Sequence, residues 1–119
     1  MNNLLPRLND GIYIFCTHHL FVIDGIESIA AIREPEAITH ILKKVDADNL
    51  NIIYSQEWSW ISLDYQSDLE MTGLTASFSS ALSGSGIPCN VIAGFYHDHI
   101  FVPREKAKEA LEILGKITI

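Results

Sequence analysis

The chain has 119 residues, 48% of them hydrophobic and 19% charged, with 15 Asp and Glu against 8 Lys and Arg for a net charge of −7. That length and apolar content suit one compact body, and the acidic excess repels phosphate backbones and anionic lipid, which argues against nucleic acid and membrane partners. No apolar run approaches the roughly 20 residues that span a bilayer, and Cys16 and Cys89 stand far apart without CxxC spacing, as buried thiols of a reducing, cytoplasmic compartment do.

In chain order, "MNNLLPRLNDG" is too interrupted by Pro6, Arg7 and Asp10 to be a signal peptide. The run "IYIFCT" (12–17) then reads as a strand after the Asp10-Gly11 turn signal, and "LFVI" and "IESIAAIRE" read as two more, joined by Asp24-Gly25, a strong hairpin signal. In "PEAITHILKKVDADNL", Ile38, Ile41, Leu42 and Val45 fit a helical stripe, although residues 38–42 also fit a short strand followed by one helical turn.

The second half is clearer. "WSWISLDY" (58–65) alternates, with Ile61, Leu63 and Tyr65 on one face and Trp58, Trp60, Ser62 and Asp64 on the other. Beyond the link "QSDLEMTG", the positions of Leu74, Phe78, Ala81 and Leu82 predict an amphipathic helix over 74–83, stopped by Gly84, Gly86 and Pro88. "CNVIAGFY" (89–96) is apolar on both faces, as an interior strand is, and "HIFVP" (99–103) is a short strand. Ala107, Ala110, Leu111 and Leu114 mark a last helix from Arg104 to Gly115, and "ITI" (117–119) offers a final strand. The order β-α-β-β-α predicts a split βαβ, ferredoxin-like α+β fold with an antiparallel sheet and both helices on one face.

The stretch from "SLDYQSDLEMTG" through "LTASFSSAL" to "NVIAGFYHDHIFVPREKAKEAL" closely resembles the C-terminal module of small bacterial tandem ACT-domain proteins of uncharacterised function. "LNDGIYIFCT" and "IREPEAITHIL" resemble the N-terminal part of the same family. The resemblance implies two ACT-like βαββαβ units, the first with reduced helices: an N-terminal half over residues 1–56 and a C-terminal ACT domain over 57–119, packed as one body. It also implies that 38–42 is a strand. By function it implies a stand-alone, non-catalytic regulatory module that binds a small amino acid at the interface between ACT-like units and passes the signal to a regulated protein or through its own homodimer, with no cofactor.

An amino-acid ligand needs donors for its carboxylate and acceptors for its ammonium. The link before the first predicted helix supplies candidate donors in Ser67, Asp68, Met71, Thr72, Gly73 and Leu74, with Gly73 where ACT domains commonly carry a ligand-contacting glycine loop; Glu70-Met71-Thr72-Gly73 replaces the commoner Asn-x-Pro-Gly form. Asn90 is a candidate for a polar floor, and His97 and Asp98, read as part of the hairpin turn, are candidates to hold a cationic group, as the corresponding Asp does in the arginine-sensing relatives. Three other readings stand beside this one. His97-Asp98-His99 could serve a small enzyme, although no nucleophile motif accompanies it; it could hold metal, although zinc wants a third and fourth ligand; or the protein could be an assembly module without ligand. The Trp58/Trp60 face needs cover, and self-association is one way to provide it.

Overall fold

The computed structural model of the chain describes residues 3–65 and 73–118. They form two compact units, one made of residues 11–58 and the other of residues 1–10 together with 59–119. The N-terminal decapeptide, which the sequence places with the first half, thus belongs to the unit of the second.

In the unit of residues 11–58, β2 (Tyr13–His18) pairs antiparallel with β4 (Ile38–Lys43), and β4 with β3 (Ala30–Arg33). Residues 38–43 are therefore a strand, as the family resemblance implies, and the helical stripe fails at Val45, which is 59% exposed. Helix α1 (Lys44–Asn49) follows directly, and its Ala47 packs with Ile14, Cys16, Ile23 and Leu42. The Asp24-Gly25 turn forms, with φ of 45° and 73° and the Ile26 amide donating to the Ile23 carbonyl at 2.7 Å. "LFVI" is not a strand, since one bridge, Ile23 to Ile26, closes the hairpin and Leu20, Phe21 and Val22 are exposed. Buried His40 is held by its partners: Nε2 donates to the Leu20 carbonyl at 2.9 Å, and Nδ1 meets the Ser28 hydroxyl at 2.7 Å.

The other unit carries β1 (Pro6–Leu8), β5 (Trp58–Leu63, its first residue in the neighbouring unit), α2 (Leu74–Gly84), β6 (Asn90–Ala93), β7 (Asp98–Pro103), a 3-10 turn (Arg104–Lys106) and α3 (Ala107–Gly115). Its strand order is β6-β7-β5-β1, with antiparallel pairs β6–β7 and β1–β5. The final strand expected over 117–119 is reduced, among the described residues, to a single bridge from Thr118 to Asn3, and β1 is the strand paired with β5. The interior strand is β7, whose Ile100, Phe101 and Val102 are 0–1% exposed, whereas β6, expected inside the sheet, is its edge.

Period-two alternation turns Ile61, Leu63 and Tyr65 of the β5 run and Ile100 and Val102 of β7 to one face, where they pack with Phe78 and Leu82 of α2 and Ala107, Ala110 and Leu114 of α3. Both helices therefore cover the same face. Each fully buried Leu, Ile or Phe contributes roughly 1.5–3 kcal/mol, which is what holds so short a set of elements together. Leu4 from the N-terminal decapeptide lies in the same core, fully buried.

Candidate functional site

The hairpin between β6 and β7 turns earlier than the sequence suggests. Ala93 pairs with Asp98, and the Gly94 amide donates to the His97 carbonyl at 2.9 Å, so the turn is Gly94-Phe95-Tyr96-His97. The turn excludes a side chain at residue 94, because a Cβ there would stand 2.5 Å from the His97 carbonyl oxygen. Phe95 and Tyr96, read as strand, are the tip, 74% and 68% exposed. Asp98 and His99 then belong to β7, and alternation sends them to opposite faces.

That separation decides between the readings of the His-Asp-His cluster. Asp98 lies on the helix-covered face with Ile100 and is 8% exposed. The Tyr65 hydroxyl donates to its Oδ2 at 2.8 Å. His97 holds the same residue from the turn, its Nδ1 donating to the Tyr65 carbonyl at 3.1 Å. Tyr65 is thereby fixed by its backbone and its side chain, and burial followed by the Asp98 hydrogen bond raises its phenol pKa well above the ordinary tyrosine value. Among the described residues no cation pairs with Asp98, so a 92% buried carboxylate is met by one neutral hydroxyl.

His99 is on the reverse face beside Trp60, whose indole donates to His99 Nδ1 at 3.1 Å. No group of three or more His, Cys, Asp or Glu among the described residues could hold a metal. With Asp98 and His99 on opposite faces of β7, the three side chains do not converge on one point.

Of the other candidates, Gly73 caps α2 in the left-handed region at φ 82°, its carbonyl accepting from the Ser77 amide at 3.0 Å, and Leu74 packs against the helix-side core. Ser67, Asp68, Met71 and Thr72 lie outside the described residues. Asn90 does not join them: it is exposed, opposite Phe101 on the reverse face, three residues and about 10 Å along the strand from the Asp98 pair. An edge strand puts its first amide in solvent, so the expected polar floor is absent there.

Tyr65 was legible as a core residue but not as a partner of Asp98; the available signal was that a buried tyrosine hydroxyl needs an acceptor. Both tryptophans are half-buried against aromatic neighbours. Trp58 meets Phe15 edge-on at 5.6 Å, while Trp60 stacks on Phe101 at 6.0 Å.

Residues 54–116 match an ACT-domain family profile, and residues 1–59 match a second one. No curated protein gives a significant match. A Vibrio cholerae protein of unknown function, described as a possible transport protein, is 44% identical over 98% of this chain and 91% of its own, with a TM-score of 0.91. An Agrobacterium tumefaciens protein superposes with a TM-score of 0.76 at 18% identity over 96% of this chain and 88% of its own. The regulatory subunit of aspartate kinase from Thermus thermophilus, in its ligand-free form, gives 0.70 at 13% identity over 96% of both chains. At those last two identities the likeness is one of fold.

Proposed function

Because the chain belongs to the ACT-domain family, whose members are regulatory modules that sense amino acids, we propose that it binds a small amino acid at the Asp98 end of its C-terminal unit and regulates a partner protein accordingly. The observation that supports this is Asp98 itself. A carboxylate so far from water ordinarily carries a cation or several hydrogen bonds, and among the described residues one hydroxyl serves it. The remaining acceptor capacity suits the ammonium or side-chain cation of an amino acid, through a charge-assisted hydrogen bond. The amides around Gly73, with Ser67, Asp68, Met71, Thr72 and Leu74, are proposed to hold the ligand's carboxylate at the other end. The link is joined covalently to Tyr65, so anion and cation sites would be supplied from adjoining stretches of chain. The role is regulatory and not catalytic, and a homodimer is the proposed working form, as in many ACT proteins.

A thermal-shift screen of the twenty amino acids tests the reading. Ligand at 100 times its dissociation constant adds about 2.7 kcal/mol, a readily visible rise in melting temperature. Asp98→Asn should remove most of that rise while the ligand-free protein still unfolds cooperatively. If no amino acid shifts wild type, or if one shifts wild type and Asp98→Asn equally, the assignment fails.

A further inference from the structure

On the reverse face of the same sheet, a run of hydrogen bonds has a fixed direction. Arg7 has no acceptor; its Nε and Nη2 hold Asp64 at 2.7 and 3.2 Å, and its Nη1 donates to Asn9 Oδ1 at 2.8 Å. The Asn9 amide group is thereby oriented, and its Nδ2 donates to Ser62 Oγ at 2.9 Å and to the Trp60 carbonyl at 3.2 Å. The Ser62 hydroxyl, with its oxygen accepting from Asn9, is left to donate to His99 Nδ1 at 3.3 Å. Trp60 Nε1, also a donor only, reaches the same nitrogen at 3.1 Å. His99 Nδ1 therefore faces two donors, and the proton of the neutral ring sits on Nε2. That nitrogen packs against the hairpin turn, 3.1 Å from where a Cβ on Gly94 would be.

We propose that His99 is a proton-responsive latch on the β6–β7 turn, closed while the imidazole is neutral and released when Nδ1 takes a proton. A proton there turns Nδ1 into a donor facing the donor-only Trp60 indole, so the Trp60 bond is lost and, in this reading, the ring swings away from its place against Gly94. The Gly94 amide closes the turn on the His97 carbonyl, and Asp98 follows directly, so release of the ring loosens the stretch that positions His97 and Asp98. The charged and titratable groups around His99 are Arg7 of β1, Asp64 beyond β5, His97 of the turn and Asp98 of β7. Burial, then His97, holds the imidazole below the ordinary histidine range; Asp98 opposes this, Arg7 adds to it, and Asp64 opposes it least. The sign follows. Below pH of about 6.5 the unfolded chain takes up a proton that the folded chain refuses, so folded stability declines as pH falls through that value, and the latch opens lower, as pH falls through the depressed value of the folded imidazole. The latch does not depend on any ligand.

The test follows the indole N–H resonance of Trp60 and the amide resonance of Gly94 in 15N-labelled protein from pH 8 to pH 4.5. Both should move together with one midpoint below about 6.5, and His99→Gln should abolish the shared titration. Trp60→Phe, which keeps the ring and removes the donor, should raise the midpoint seen at Gly94. Flat Trp60 and Gly94 resonances, a shared titration that persists in His99→Gln, or a midpoint unchanged in Trp60→Phe would each overturn the proposal.

Discussion

Removing the Tyr65 hydroxyl is the sharpest probe of the buried carboxylate. Tyr65→Phe keeps the ring in a core where the residue is 6% exposed, so little packing is lost, and the change deletes one 2.8 Å bond to a carboxylate that has no cation beside it among the described residues. Hydrogen bonds to charged groups contribute about 1.5–3 kcal/mol, and the desolvated Asp98 left behind places the expected cost in the upper part of that range. Asp98→Ala removes the acceptor altogether, so each single variant of the pair breaks the bond. A double-mutant cycle by urea unfolding should then give a coupling of at least about 1 kcal/mol, since groups in direct contact couple by about 0.5–3 kcal/mol. The linear extrapolation must use equal m-values in all four proteins. Additivity within about 0.3 kcal/mol would mean that the hydroxyl and the carboxylate do not share a bond in solution, and the argument for an under-served carboxylate would fall with it.

Phe78→Ala empties a fully buried position between α2 and the sheet and should cost about 3–5 kcal/mol in the same assay. Gly94→Ala forces a Cβ against the His97 carbonyl and should cost about 1–3 kcal/mol, with Trp60 fluorescence altered as the His99 ring is displaced. Gly73→Val meets open space and is strained by φ alone, so it should cost about 1–2 kcal/mol even if no ligand contacts that residue. Arg7 holds the Asp64 carboxyl below its usual range; that contribution is present above pH of about 3.9 and is lost as pH falls through and below it. Arg7→Ala should therefore flatten the acid limb of a stability-versus-pH curve while costing under about 1 kcal/mol at pH 7, because the pair is exposed.

Much of this was legible because alternation and helical spacing are strong signals where one face is buried. Ile61, Leu63 and Tyr65 announced β5, and Phe78 and Leu82 announced α2. The turn was misplaced because Phe95 and Tyr96 have strand-forming side chains and nothing local marks them as a tip; the Cβ clash at Gly94 arises only once both strands are paired. β1 was missed since three residues including a proline carry no period. At the site, the family likeness singled out Asp98, but its pairing with Tyr65 depends on β5 and β7 lying side by side, which no local pattern encodes. The chain from Arg7 to His99 is invisible for the same reason, with members drawn from three strands and a short connecting stretch.

The assignment of residues 1–10 to the second unit has a consequence for how the protein is made. Synthesis delivers β1 first, yet its partner β5 and the core that takes up Leu4 emerge only after the whole of residues 11–58. The first unit can begin to pair from nearby segments, as β2, β3 and β4 do, while the second must close a loop that spans that entire intervening unit before Leu4 is buried. The emerging chain therefore carries an unpaired strand, and the β5 edge it will cover stays open until it docks, so the protein is most open to mispairing with another nascent chain during that interval.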